Sequence, residues 1–181
     1  RQANISLNGL IGSETLNKSG SVSTSSSNAS IYGSALINAS ALSLSDGSNG
    51  GLISNYTHSG GSHSITISKK SIGVNGSKVY DGNTSAAASN LSLTGLIGSE
   101  TLNLSGSGTI TTSAVGDNKS VTDVNFTLSD NSGAAANYTL NGTLEINVTQ
   151  RPVVVSGSKV YDGNTTVAVS YTHLTLPTKV T

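Results

Sequence analysis

Two histidines, His58 and His63, stand five positions apart in THSGGSH, a spacing at which two imidazoles on one loop can reach the same ion. A metal needs a third ligand, and none lies close in sequence, so a solvated loop is the better reading. The acidic residues Asp117, Asp123, Asp130 and Glu145 are spread singly and match no calcium loop. Asp81 with Asn83 offers oxygens for a weak calcium site, but a turn explains the pair more simply. Glu100 follows Ser99 and recurs as Glu14, which reads as a turn or cap contact. Residues 74–154 contain neither His nor Cys, so Ser-His-Asp and Cys-His nucleophiles cannot be assembled there. The one enzymatic route left is a carboxylate pair acting on glycans. No catalytic residue, metal or cofactor is expected.

What the chain does repeat is a turn. GSKVYDGNT occurs at Gly76–Thr84 and again at Gly157–Thr165. In it Asp81–Gly82 and Asp162–Gly163 reverse the chain, since Asp bonds its own backbone and Gly tolerates positive φ. Tyr80, Asp81, Gly82, Asn83 and Thr84, with Tyr161, Asp162, Gly163, Asn164 and Thr165, form the repeated motif. Lys78 and Tyr80 should share a face, with Tyr80 anchored on the core and Thr84 bonding back into the turn.

Other segments return in the same order. LNGLIGSETLN at Leu7–Asn17 reappears as LTGLIGSETLN at Leu93–Asn103. Ser45–Asp46 returns at Ser129–Asp130, Asn55–Thr57 at Asn137–Thr139, and Ile65–Lys70 as Ile146–Arg151. The period is that of a small domain, longer than a solenoid rung of about 20–50 residues. The expected organisation is a unit lacking its start (1–73), a complete unit (74–154), the start of a third (155–168), and a tail (169–181). Gln150–Val155 is the joint, stiffened by Pro152. The tail string VSYTHLTLPT, Val169–Thr178, resembles one reading frame of a transposase adaptor used in sequencing libraries, and it includes His173. It is set apart from the functional reading.

The elements that carry these motifs alternate with period two. Val124, Phe126 and Leu128 fall on one face, as do Leu91 and Leu93, Tyr138 and Leu140, and then Leu144, Ile146 and Val148 beyond an Asn141–Gly142 break. SGSGTITTS reads as a weaker strand. IGSETLN holds at most one helical turn. Six or seven short strands per unit predict an all-β fold of tandem small β-sandwich, immunoglobulin-like repeats. A β-grasp-like unit and a right-handed β-helix are the alternatives. The core is small and aliphatic, and each unit would be marginal alone.

The chain has 181 residues, among them 34 Ser, 21 Thr, 18 Asn and 21 Gly, with no Cys, Met or Trp and zero formal net charge. A neutral surface argues against nucleic acid as a partner. The lack of Cys removes disulfides and thiol chemistry, and suits passage through an oxidising compartment.

GSKVYDGNT, a Leu/Gly-rich middle, NYTL and INVTQRPVVV together resemble the YDG-type repeat of large filamentous-haemagglutinin-like bacterial adhesins. The resemblance runs from Arg1 to about Ala168, and rests on Tyr80–Gly82, Tyr161–Gly163, Asn55 and Asn137. It implies a secreted, surface-displayed repeat protein of a Gram-negative outer membrane exterior, exported through a partner outer-membrane transporter. It implies no catalytic residues. This stretch carries neither the secretion domain nor the anchor of such proteins.

Fifteen of the 18 Asn begin Asn-X-Ser/Thr. Chance at this Ser/Thr content gives about five. A polar strand face built from Asn, Ser and Thr produces the excess by itself, because positions i and i+2 share a face. The sharper reading makes Asn125, Asn137 and Asn147 sugar acceptors, which the resemblance admits. The expected function is a structural and adhesive module, a stalk or spacer, contacting neighbouring repeats and, through the parent adhesin, host or bacterial surface glycans or proteins. The alternative is a carbohydrate- or receptor-binding module, for which Tyr32 is the aromatic without a repeat counterpart.

Overall fold

The computed structural model describes residues 5–169. It is all-β. Its strands are β1 (Leu16–Gly20), β2 (Ser23–Thr24), β3 (Ser30–Gly33), β4 (Ile37–Asn38), β5 (Leu42–Asp46), β6 (Ser64–Ile67), β7 (Lys70–Val79), β8 (Ser85–Ala87), β9 (Leu91–Thr94), β10 (Leu102–Ser105), β11 (Ser107–Thr109), β12 (Gly116–Ser120), β13 (Thr127–Asp130) and β14 (Tyr138–Thr149). Among the described residues, helix is confined to three-residue 3₁₀ turns such as Ala135–Asn137. The chain divides into two compact units, Arg1–Gln150 and Arg151–Thr181.

The central feature is a four-stranded sheet in the order β12-β14-β7-β9. β14 and β7 run parallel, with Tyr138 opposite Lys70 and Thr149 opposite Val79, while β12 and β9 flank them antiparallel. The core forms where Ile146 and Val148 of β14 meet Ala86, Ile110 and Val121, with Leu91, Phe126 and Leu144 closing the sides. These residues come from the sheet on one side and from the β8–β11 pair and its neighbouring loops on the other, so the complete unit is two packed layers.

The two repeats share a wiring. β1 pairs β5 with Leu16 opposite Asp46, as β10 pairs β13 with Leu102 opposite Asp130. Ser23 of β2 faces Asn38 of β4, as Thr109 faces Thr122. β3 pairs β6 as β12 pairs β14. The division at 73/74 falls inside β7, which enters the complete unit as its first strand.

Two expectations are corrected by this geometry, and the two alternative folds are set aside. The complete unit has eight strands from Lys70 to Thr149 rather than six or seven. Asn141–Gly142 is no break: β14 runs through it with a bulge between Leu140 and Leu144. A Cβ on Gly142 would press on the Ile72 carbonyl, and one on Gly73 would be driven into the Thr143 carbonyl, so two facing glycines let the strands close. IGSETLN is a β-turn closed by Glu100 N–H to Ile97 O at 3.0 Å, so the helix a β-grasp unit needs is missing from it. A β-helix would stack parallel rungs, whereas among the described residues one parallel pair sits among antiparallel ladders.

Two substitutions test the arrangement by thermal or urea unfolding of the whole chain. Ile146→Ala, which empties a fully buried position, should cost about 2–5 kcal/mol. Gly73→Ala should destabilise more than Gly82→Ala, because Gly82 has nothing within 4 Å of an added Cβ.

Candidate functional site

The repeated motif folds around an ammonium. β7 delivers Lys78, and its Nζ donates to the Asn83 and Ser85 carbonyls, each at 2.9 Å, and pairs with Asp81 Oδ1 at 2.9 Å. Three donors meet three oxygens, which satisfies the ammonium completely. Asp81 Oδ1 also accepts the Asn83 N–H at 2.9 Å, closing an Asx turn. Gly82 takes φ +81, the left-handed region in which a Cβ is unfavourable. Thr84 contributes its carbonyl, which accepts the Ile110 N–H at 2.9 Å.

This reverses the expected roles. Lys78 is the buried residue, 7% exposed, and Tyr80 is 40% exposed rather than anchored on the core. The reason is register: within β7, Lys78 falls on the same side as Ile72 and Val74, and the motif's own carbonyls neutralise the burial of its charge. Asp81 Oδ1 and the Asn83 main-chain oxygen are thus already turned on an internal cation. Sequence reasoning missed Lys78, although a lysine at fixed spacing before each Asp-Gly was the available signal.

The second copy repeats the bonds. Lys159 Nζ reaches Asp162 Oδ1 at 2.8 Å and the Asn164 and Thr166 carbonyls at 2.5 and 3.0 Å. Asp162 Oδ1 accepts the Asn164 N–H at 2.9 Å, and Gly163 has φ +76. Residues 151–160 form no strand, and Tyr161 is 92% exposed. The second copy thus makes the turn's bonds although its own preceding residues, 151–160, form no strand. Beside the first copy, Tyr80 N–H donates to Thr149 O at 2.9 Å, which sets the motif at the end of β14.

At the opposite end of β14 lies a second repeated contact. Tyr138 Oη donates to Glu100 Oε2 at 2.5 Å and accepts the Ile97 N–H at 3.2 Å. Tyr56 makes the same pair of bonds with Glu14 and Ile11. The bond to Glu100, with burial, raises the Tyr138 pKa, and the bond to Glu14 raises that of Tyr56. Glu14 and Glu100 are therefore latch partners of the Asn-Tyr-Thr tyrosines, which the cap reading did not foresee.

The three candidate sugar acceptors differ. Asn125 is exposed on the loop before β13. Asn147 is half-buried in β14, with Oδ1 accepting the Asn118 N–H at 2.7 Å. Asn137 has both ends of its amide engaged, Oδ1 by Ala29 N–H at 2.8 Å and Nδ2 by Asn28 Oδ1 at 3.0 Å. Tyr32 is buried in β3, with its hydroxyl on Asn28 O, so it offers no stacking face. His63 Nε2 lies 2.9 Å from His58 O, and among the described residues no group of three His or carboxylate side chains converges on a metal position. Val169 is described and exposed, whereas residues 170–181 of the tail, with His173, lie outside the described residues.

Residues 63–146, a little under half of the chain, match the YDG domain. Those residues are a YDG domain. The searches of curated proteins and of solved structures return no match. The matched span contains the Lys78 turn, the Glu100–Tyr138 latch and all but the end of β14. The second motif, Tyr161–Gly163, lies beyond it. Among the described residues, no helix is long and apolar enough to cross a membrane.

Replacing Lys78 with Met keeps the bulk but strands the Asn83 and Ser85 carbonyls, and should cost the YDG domain about 1–3 kcal/mol per carbonyl left unpaired. Urea unfolding checks this, and Lys78→Arg should lose less. Lys78, with the Asn83 N–H, holds the Asp81 carboxyl below its ordinary range. A lowered folded value means the contribution is complete above the unfolded value, about 3.9, and is lost as pH falls through the lower folded value. The turn's NMR shifts should accordingly hold until the pH is below the usual carboxylate midpoint. For Tyr138 the sign is opposite. Its contribution is complete below about pH 10 and fades as pH rises through the raised folded value. Tyr138→Phe should remove its share of that alkaline dependence and leave that of Tyr56, as followed by urea unfolding at rising pH.

Proposed function

We propose that this chain is part of the projecting stalk of a large secreted bacterial adhesin. The observation that carries the reading is the parallel pairing of the first and last strands of the complete unit. Parallel ends mean that the chain enters beside Tyr138 and leaves beyond Thr149, at the other end of a twelve-residue strand. At about 3.3 Å per residue, that strand spans about 40 Å. Antiparallel terminal strands would return the chain to where it entered. A unit wired this way advances the chain with each repeat, which suits a spacer carrying a distal binding region outward. The neutral, Ser/Thr/Asn-rich surface also suits a module that makes few contacts of its own. On this reading the protein is displayed outside a Gram-negative outer membrane, passes a transporter in that membrane, has no catalytic role, and takes neighbouring repeats as partners in cis. Contact with host or bacterial glycans or proteins falls to the parent adhesin.

A direct binding module is the second reading, favoured by the exposure of Tyr80 and Val79 at the tip of the first motif. An apolar ring beside a turn is a usable stacking platform for a sugar.

Antibodies raised against the 181-residue chain, applied to intact cells of the native host, separate the cases. Surface labelling, displaced further from the membrane in strains with more units, is expected. Labelling that appears only after lysis would overturn the stalk reading. Loss of adhesion on Tyr80→Ala with the units intact would replace it with the binding reading.

A further inference from the structure

We infer that the asparagine of the Asn-Tyr-Thr turn is a clasp between successive repeats. The inference deepens the stalk reading by naming how one unit holds the next. The contact itself is independent of where the protein is displayed.

The structure contains this asparagine twice, as Asn55 and Asn137, and for Asn137 the described residues include the repeat before it. Asn137 belongs to the complete unit, and residues 5–69 precede it as the earlier repeat. Its amide is used at both ends: Oδ1 takes the Ala29 N–H at 2.8 Å, and Nδ2 donates to Asn28 Oδ1 at 3.0 Å. Asn137 is half-buried as a result. Asn55 holds the matching place in the earlier repeat, at the end of the 3₁₀ turn Ile53–Asn55 just as Asn137 ends Ala135–Asn137. Asn55 is exposed. The neighbouring tyrosines make the same latch in both units, so the difference lies in what stands against the asparagine and not in the turn that carries it.

Both halves of the clasp are held from behind. The Tyr138 latch to Glu100 and Ile97 fixes the residue next to Asn137. Across the contact, Tyr32 is buried in β3 and donates to Asn28 O at 2.8 Å, which sets the loop that presents the Ala29 N–H. A planar amide offering one acceptor and one donor to a backbone N–H and a side-chain oxygen fixes orientation as well as distance. This gives Tyr32 a role that its sequence position did not suggest.

The receiving group has a counterpart in the complete unit. Ser30 faces Ile67 as Gly116 faces Val148, so Ala29 corresponds to Val115. The main donor is a backbone N–H, which survives the change from Ala to Val, and Val115 is exposed. Val115 N–H is therefore the matching donor for the Asn-Tyr-Thr asparagine of a following unit, while Ala114, standing where Asn28 does, offers no side-chain oxygen for the second bond. A sugar on Asn137 Nδ2 would displace Asn28, so this sequon serves coupling rather than glycosylation.

Amide hydrogen exchange on the full chain, read residue by residue by NMR, tests the clasp. In the unaltered protein the Ala29 amide should exchange about tenfold more slowly than the Val115 amide. Asn137→Ala should remove that protection, Asn55→Ala should leave it intact, and the Ile146 and Val148 amides should be unchanged in both. Asn137→Asp should retain protection at Ala29, since the acceptor remains and the Asn28 amide can turn to donate. Equal exchange at Ala29 and Val115 in the unaltered protein, or unchanged Ala29 protection in Asn137→Ala, would overturn the clasp. If Asn137→Ala fails to fold, the comparison of Ala29 with Val115 still decides. A negative result here leaves the stalk reading standing, because surface labelling of cells does not depend on it.

Discussion

The parallel contact between β7 and β14 is the constraint from which the rest follows. Two strands with 58 residues between them, from Tyr80 to Asn137, must lie side by side along most of their length. Gly73 and Gly142 make this possible by removing the side chains that would meet the facing carbonyls, and the bulge in β14 absorbs the misfit where they cross. Once the pair is set, β12 and β9 have their edges, Ile146 and Val148 have their face, and the core of Ala86, Ile110 and Val121 has something to close against. The same pair separates the two ends of the unit. The Tyr138 latch sits where the chain enters and the Lys78 turn where it leaves.

The turn and the latch solve the same physical problem at opposite ends. Each takes a polar group into a half-dry position and surrounds it with partners of the right number. Lys78 brings three protons and finds three oxygens. Tyr138 gives its proton to Glu100 and takes one from the Ile97 amide. Buried polar groups tie a chain to one geometry because every alternative leaves them unpaired. That matters in a core built from a few aliphatic side chains, where packing alone discriminates weakly between registers. A tandem protein gains in addition, since a unit with fixed ends transmits its orientation to the next.

Part of this was written in the sequence and part was not. The all-β class followed from period-two alternation, and the order of the repeats from matched strings such as LIGSETLN. The Asp-Gly turn was also legible, although the lysine that closes it was missed, because its bonds join residues two, three, five and seven positions apart. Lys159 makes the same bonds although residues 151–160 form no strand. What alternation could not reveal was which side of β7 faces inward. Lys78 and Tyr80 are two residues apart and share a parity, yet one is buried and the other is not, because the strand ends between them and the chain turns away. Asn141–Gly142 reads as a turn by composition and becomes a bulge only because β7 lies alongside. Asn55 and Asn137 stand in the same Asn-Tyr-Thr, and nothing in that tripeptide shows that the Asn137 amide bonds Ala29 and Asn28, more than a hundred residues earlier. Sequence alone thus determined the features held by contacts within a few residues. Tertiary structure decided those set by partners dozens of residues away, since burial and pairing depend on which distant surface arrives and local propensity carries no record of it.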